Sequence, residues 1–349
     1  MNPPLSSKGV SGIGIVSPLI DAQWDERVAA LPGATFFHGK AWAQVLHSAY
    51  GFTPTYFSRD ESLLPAMEID SWATGRRGVG LPFTDECAPL APNGERFSAL
   101  LDSALSHAQK RRWKYLECRG GREFFGEVAP STSYFGHRLD LTAHEAALFA
   151  GLSPAARRAV RKSEQSGLTI ETSQGMDALQ DFFGLFCLTR KRHGLPVQPF
   201  RFFAEIHRHV LAQNHGCVVL ARLGPTPVAG AVFVHFGRTV IYKFGASNEE
   251  FQHLRANNLV MWESIKGHAR QGFKLLDFGR TSLANEGLRQ FKLGWGTREH
   301  SIDYYRYDLR ASRYVTVPDG AAGWYTRLFT HLPVSVSRLA GSMLYRHAA

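Results

Sequence analysis

The sequence predicts an α+β fold, a mixed α/β arrangement of two tandem domains, each a mainly antiparallel sheet flanked by helices. Three observations predict it. At 349 residues the chain exceeds one ordinary domain and suits two, at roughly 100–200 residues each. The stretches HAQKRRWKYLE (107 to 117) and HARQGFKLLD (268 to 277) share one pattern with a single gap. Each is a helix end followed by aromatic, Lys, apolar, Leu, acid, which reads as one helix-into-strand unit used twice. In the second half, strand-like runs, a helix and further strands follow one another with no Gly-rich loop after a first strand, which argues against Rossmann and P-loop folds.

The elements follow in order. HSAYGFTP (47 to 54) and RKRHGLPV (190 to 197) each end a helical stretch at a glycine with a proline soon after, a second echo between the halves. A boundary falls in RLDLTAHEAALFAGLS (138 to 153), where an alternating run gives way to a helix start. This divides the chain into 12–140, 141–310 and a tail, 311–349. Ser153 and Pro154 suit the N-cap and first helical position. In the helix that follows, Leu152, Ala156, Ala159 and Val160 share a face, while Arg157 with Arg161 and Arg158 with Lys162 form i, i+4 rows, a cationic strip that is either solvated or anion-binding. Residues 177 to 193 form an amphipathic helix with Leu179, Phe182, Phe183 and Phe186 inward. CVVLARL, VAGAVFVHF and TVIYKFGAS read as a three-stranded meander, NNLVMWESIKGHARQG as a helix stopped at Gly272, and KLLDF as a strand. A charged loop then carries Arg280, Glu286, Arg289 and Lys292 before the alternating strand SIDYYRYD. The tail spaces Leu328, Leu332, Val336, Leu339 and Met343 at helical intervals, with Arg327, Arg338 and Arg346 between them. Such a helix docks on its own protein or on an anionic membrane face.

Forty Lys and Arg against thirty acids leave a net charge of +10, which favours anionic partners: phosphates, nucleic acid or a lipid surface. The start has neither a basic n-region nor an apolar h-region, and no run reaches the roughly 18 apolar residues of a membrane span. The default compartment is therefore the cytoplasm. Cys87, Cys118, Cys187 and Cys217 show no C-x-x-C spacing, and the fifteen histidines show no H-E-x-x-H. Neither a disulfide framework nor a metal site is expected. The absence of G-x-S-x-G disfavours a serine hydrolase.

LLDFGR followed by GLRQFKLGWG and the aromatic strand DYYRY resembles the C-terminal signature of the FemAB-like acyltransferases, built from tandem GNAT-fold domains. The resemblance extends to SPAARRAVRKSEQSGLTIE, to IYKFGAS and to FFHGKAWAQVLHSAYGF, and covers most of residues 20 to 310. By pattern it is similar to the branch that accompanies exopolysaccharide and exosortase systems. The resemblance implies transfer of an acyl or aminoacyl group from an activated carrier to an amine. It implies no tightly bound cofactor and no covalent intermediate on the enzyme. The donor is acyl-CoA, an acyl carrier protein or a charged tRNA; the acceptor is an amine, for instance on an envelope or exopolysaccharide precursor.

By the same resemblance Lys292 of the F-K-x-G-W run is the candidate transition-state cation. Asp277 accepts a proton or holds Arg280; Arg280 pairs with donor phosphate or with Asp277. Tyr242 orients the acceptor or packs, and Trp295 plugs the sheet or stacks on a ligand. At the start of the helix after the meander, Asn257 or Asn258 caps and Arg255 supplies charge, with Arg157 and Arg161 as further donor contacts. The turn NEEFQHLRANN departs from acyl-CoA relatives, because it has no glycine where they place a Gly-rich pyrophosphate loop. That departure leaves room for charged tRNA or an acyl carrier protein. Two other readings stay open: an aminoacyl-tRNA-dependent transferase acting on a peptidoglycan-type precursor, and a non-catalytic basic protein that holds RNA or another polyanion. The expected place is the cytoplasm or the inner face of the membrane.

Overall fold

The computed structural model describes residues 12–317, 329–330 and 332–347. The first half runs β1 (Gly14–Val16), α1 (Trp24–Ala29), α2 (Lys40–Tyr50), β2 (Thr53–Pro54), β3 (Tyr56–Arg59), β4 (Ser62–Leu64), β5 (Met67–Ile69), β6 (Arg77–Val79), α3 (Gly94–Lys110), β7 (Tyr115–Arg119), α4 (Arg122–Phe125) and β8 (Thr132–Asp140). The second half begins α5 (Glu145–Gly151), α6 (Pro154–Glu164), β9 (Thr169–Ser173), α7 (Met176–Arg192), α8 (Phe200–His209), β10 (Gly216–Leu223), β11 (Thr226–Phe236) and β12 (Thr239–Ser247). It continues α9 (Ala256–Arg270), β13 (Leu275–Ser282), α10 (Glu286–Leu293), β14 (Arg298–Asp308) and β15 (Arg313–Tyr314), and α11 (Val334–Leu344) lies in the tail.

One large sheet takes strands from both halves, in the order β2-β5-β6-β7-β14-β8-β13-β12-β11-β10-β9, with β15 beside β14. Among the described residues only β6/β7 and β12/β13 pair in parallel, and each of those pairs is joined through a helix, α3 or α9. This is the repeated helix-into-strand unit seen in the sequence. The halves exchange their last strands. β8, which ends the first half, pairs with β13 of the second, while β14, which ends the second, pairs with β7 of the first. The exchanged strands pair with each other at the centre, Arg298 opposite Arg138 through Tyr304 opposite Thr132.

Side-chain alternation along this sheet separates two cores. On one face Ile241, Val232 and Val218 pack with Phe182, Phe202 and Phe203 of α7 and α8 and with Trp42 of α2. On the other, Val240, Phe233, Leu276 and Phe278 pack with Val160 of α6, with Val260 and Ile265 of α9, and with Trp295. A third core holds α3 against β7 and Tyr305.

Two expectations change. The charged loop after KLLDF is ordered: β13 continues through Ser282, and Glu286, Arg289 and Lys292 lie on α10, which Asn285 caps by accepting from Leu288 N at 3.1 Å. In the tail, Arg327 and Leu328 lie outside the described residues. Val336, Leu339 and Met343 face solvent, and α11 docks instead through its small residues Ser337 and Gly341. A Cβ at Gly341 would stand 1.7 Å from the Val197 carbonyl oxygen, so only glycine permits that contact.

Candidate active site

β12 and β13 pair through three rungs, ending at Ile241 opposite Asp277, and then diverge. Two local irregularities drive them apart. Lys243 is the extra residue where the β11/β12 register shifts, since Val232 faces Phe244 and Phe233 faces Tyr242. In β13, Gly279 takes φ +66° inside a second register shift against β8. A Cβ there would lie 3.0 Å from the Asp85 carboxylate, so glycine is required by both conformation and space. Beyond Ile241, β12 has no strand partner on the β13 side among the described residues. A wedge of unpaired backbone opens between the two strands.

On the α9 face, a groove of about 460 Å³ is lined by Arg158, Lys162, Arg255, Asn258, Gln290 and Trp295 among others. A smaller pocket of about 260 Å³ shares Arg255 and Asn258 and adds Asn257. α9 begins without a side-chain cap, leaving N–H groups of its first turn for an anion. Arg255, just before the helix, takes the left-handed φ +58°. The turn thus makes, without glycine, the backbone reversal for which glycine is usually chosen. Trp295 is 1% exposed, and its indole N–H has no partner among the described residues.

The opposite face carries the charges. Arg138 on β8 donates to Asp277 Oδ2 at 3.1 Å and to Glu86 Oε2 at 3.0 Å. With Asp85, these groups line a cleft of about 20 Å³ at the apex of the wedge, room for about one water. Asp85 lies 3.2 Å from Lys243 Nζ and 4.0 Å from Arg280 Nε. Burial alone would raise the Asp85 pKa, but Lys243, Arg280 and Lys292 outweigh it and hold the carboxyl low. Glu86 goes the other way: burial pushes it to about 7, with Arg138 opposing and Asp277 reinforcing the shift. Next to the cleft, Arg138, Lys274, Arg298 and His300 line a groove of about 500 Å³ that also contains Asp140 and Glu299.

Lys292 is only 2% exposed and donates to the carbonyl oxygens of Gly279 and Arg280 at 2.9 and 3.0 Å. It therefore clamps the β13 irregularity from below. Burial lowers its pKa to about 8 against the pull of Asp85 and Asp277. Arg280 sits over the rings of Tyr134 and Tyr304, 4.5 and 5.5 Å from their centroids, and its Nη1 donates to Tyr304 Oη at 3.2 Å. Asp277 pairs with Arg138 rather than Arg280, and its Oδ1 accepts from Gly279 N at 2.7 Å.

The structure thus brings Asp277, Arg280 and Lys292 together and leaves Tyr242 on the other face of the sheet, packed on Phe233 and Phe278. The Tyr242 hydroxyl occupies the space a Cβ of Gly245 would fill, and burial raises its pKa to about 12. Arg255, Asn258 and Trp295 meet at the α9 groove, and Asn257 ties α9 to β12 by donating to Ser247 Oγ at 3.2 Å. Arg157 and Arg161 turn from that groove toward α5. Arg157 Nη1 donates to Ala150 O at 2.8 Å, and Arg161 stacks over Phe149 at 5.5 Å. Asp85, Glu86, Arg138 and Lys243 escape sequence reasoning. Their one local signal is the acid pair in PFTDECAP, whose partners lie some 50 to 190 positions further along.

Residues 154–300 match the family model described as an acetyltransferase (GNAT) domain. No curated protein sequence matches the chain. Among solved structures, FemX is similar at TM-score 0.64 and 14% identity, covering 82% of this chain and 96% of its own. The C-terminal domain of a putative lysylphosphatidylglycerol synthetase from Agrobacterium fabrum is similar at TM-score 0.57 and 12% identity, over 86% of this chain and 94% of that one. A tandem GNAT protein from the clavulanic acid biosynthesis pathway is similar at TM-score 0.51 and 12% identity, over 85% and 98%. The paired helix-spanned parallel strands, the GNAT match over residues 154–300 and the likeness in fold to FemX and the tandem GNAT protein together show an acetyltransferase-type (GNAT) domain within a chain of the tandem GNAT fold.

Proposed function

We propose that the protein moves an acyl group from a phosphate-bearing carrier, acyl-CoA or another acyl carrier, to an amine on an anionic acceptor such as an envelope or exopolysaccharide precursor. One observation supports this reading: two cationic grooves, one lined by Arg158, Lys162 and Arg255 at the α9 N-terminus and the other by Arg138, Lys274 and Arg298, the second sharing Arg138 with the cleft that holds Glu86. The donor phosphates rest on Arg158, Lys162 and the α9 N-terminus, and the acyl arm enters the wedge along the unpaired edge of β12. The acceptor lies along Arg138, Lys274 and Arg298 with its amine toward Glu86.

In this reading the amine nitrogen attacks the carrier carbonyl carbon, forming the C–N bond, and its proton passes to the Glu86 carboxylate. Unpaired N–H groups of the β12 edge stabilise the oxyanion. As the tetrahedral intermediate collapses and the carrier bond breaks, Tyr242, protonated at neutral pH, gives its proton to the leaving group from the donor side. Lys292 holds Gly279 and Arg280 in place and adds positive potential beneath the apex.

Thermal-shift titration with acetyl-CoA, a longer acyl-CoA and charged tRNA tests the donor, because a ligand that binds only the native state raises apparent stability. A saturable shift with an acyl-CoA is expected. A shift with charged tRNA alone would move the reading to aminoacyl transfer.

The exposed face of α11 supports a membrane-side acceptor. Val336, Leu339, Met343 and Leu344 face solvent, the middle two at 65% and 68% exposure, with Arg346 beside them. Trp72, 91% exposed, stands against His347 at 5.5 Å. Apolar residues with an interfacial Trp and a cation suit an anionic lipid surface. No helix among the described residues is long and apolar enough to cross a membrane. Co-sedimentation with anionic vesicles is expected and should be lost in Leu339→Glu/Met343→Glu; equal sedimentation of both proteins would remove the membrane from the reading.

A further inference from the structure

Away from the wedge, on the α9 face of the sheet, three metal-ligating side chains converge: Cys217 at the start of β10, His235 near the end of β11 and His268 on α9. His268 Nε2 lies 3.0 Å from His235 Nε2 and 3.9 Å from Cys217 Sγ, and the three donor atoms fall within 4.8 Å of one another. A tetrahedral zinc ion, with Zn–N near ~2.0–2.1 Å and Zn–S near ~2.3 Å, sets its nitrogen ligands about 3.3 Å apart and nitrogen from sulfur about 3.6 Å apart. The His235–His268 and Cys217–His268 spacings depart from these by a few tenths of an ångström, and Cys217 Sγ and the His235 donor lie within 4.8 Å of each other.

The surroundings fit as well as the distances. His268 Nδ1 lies 2.7 Å from the Ser264 carbonyl oxygen. That hydrogen bond places the ring proton on Nδ1 and leaves the Nε2 lone pair facing the cluster, the outer-shell arrangement that metal-bound histidines use. Phe273 packs on both imidazoles, 4.8 Å from His235 and 5.6 Å from His268, and Phe233 on His268 at 5.2 Å, so the rings are held in orientation. Cys217 and His268 are buried and His235 half-buried, which leaves the His235 side as the route for an ion and for a water in the fourth position.

We propose that Cys217, His235 and His268 bind a divalent metal ion of the zinc type as a structural staple between α9 and the β10–β11 hairpin. Two imidazoles and a thiolate form a donor set that suits zinc and excludes the hard cations magnesium and calcium. The staple fixes the C-terminal half of the helix whose N-terminus forms part of the donor groove, so metal there positions the helix and takes no part in bond making. Sequence spacing gave no sign of it, because the ligands stand 18 and 33 positions apart (235 − 217 and 268 − 235) and arrive from three separate elements.

The full chain, stripped with a chelator and dialysed, is titrated with Co²⁺ and then with Zn²⁺. The expected result is one Co²⁺ per chain with tetrahedral ligand-field bands and a thiolate charge-transfer band, displacement of both by Zn²⁺, and a Zn²⁺-dependent rise in Tm. Cys217→Ser should lose the charge-transfer band, and His268→Gln should weaken Co²⁺ binding at least tenfold, each with unchanged circular dichroism. If the variants fail to fold, the wild-type spectrum still decides. Absence of stoichiometric thiolate-bound Co²⁺ in the folded wild-type chain would overturn the proposal and leave a hydrogen-bonded histidine pair. Binding unchanged in both variants would overturn it too.

Discussion

Asp85 and Glu86 are chain neighbours, yet their surroundings push them apart. Three cations hold Asp85 ionised, while burial brings Glu86 to about 7. A carboxyl that titrates near neutrality beside a cleft can take a proton from an attacking amine and release it again; one held low cannot. Glu86→Gln should therefore lower kcat by about 10²–10⁴-fold, and the wild-type kcat/KM should rise with pH through about 7. The same substitution should stabilise the protein at alkaline pH. Because folding raises the Glu86 pKa from 4.5 to about 7, the stability linked to its protonated form is complete below about 4.5 and lost as pH rises through 7. The glutamine has no proton to lose. Its gain over wild type at pH 8 is at most on the order of 3 kcal/mol and should vanish near pH 4, measured by urea unfolding at both. A variant both less stable at pH 8 and fully active would remove Glu86 from the site.

At the scale of elements, α6 shows how a helix face decides which charges work. Arg158 and Lys162 line the groove proposed to hold the donor, whereas Arg157 and Arg161 are spent on Ala150 O and Phe149. Reversing Arg158 and Lys162 to Glu should raise the donor KM at least tenfold, since a hydrogen bond to a charged group contributes roughly 1.5–3 kcal/mol. Reversing Arg157 and Arg161 should leave it within about twofold. Initial rates at varied donor concentration separate the pairs, and the opposite ranking would place the donor elsewhere. The strip itself was legible in the sequence as two i, i+4 rows, but its working side was not, because α5 packs against one row and no local pattern reveals that. α10 was hidden for a related reason. Asn285 and Glu286 are a cap and first-turn acid, yet Gly287 and the surrounding charges mask the short apolar face. The meander, α7 and α9 were legible because their apolar periodicity is long. The apex was not, because Asp85 meets Lys243 and Arg280 only after the sheet has formed.

For the whole molecule, the strand exchange decides how stability is shared. β8 lies between β13 and β14, and β14 between β7 and β8. A cut at the boundary the sequence suggests, between 140 and 141, leaves β13 without the partner that covers its edge and deprives β7 of β14. Each fragment would then expose a long row of unpaired backbone groups next to an apolar core, the condition that favours aggregation. The Glu86 cleft would also be lost, because it takes Asp85 and Glu86 from one side of the cut and Asp277 and Ile241 from the other. Residues 12–140 and 141–317 expressed separately should therefore each fail to unfold cooperatively, whereas the intact chain shows one transition by near-ultraviolet circular dichroism and fluorescence alike. When the two are co-expressed, β8 and β14 should restore the missing pairings and yield a one-to-one complex with transferase activity. A monomeric, cooperatively folding fragment would mean that each half carries its own stability, and that the shared sheet serves to build the cleft rather than to hold the halves together.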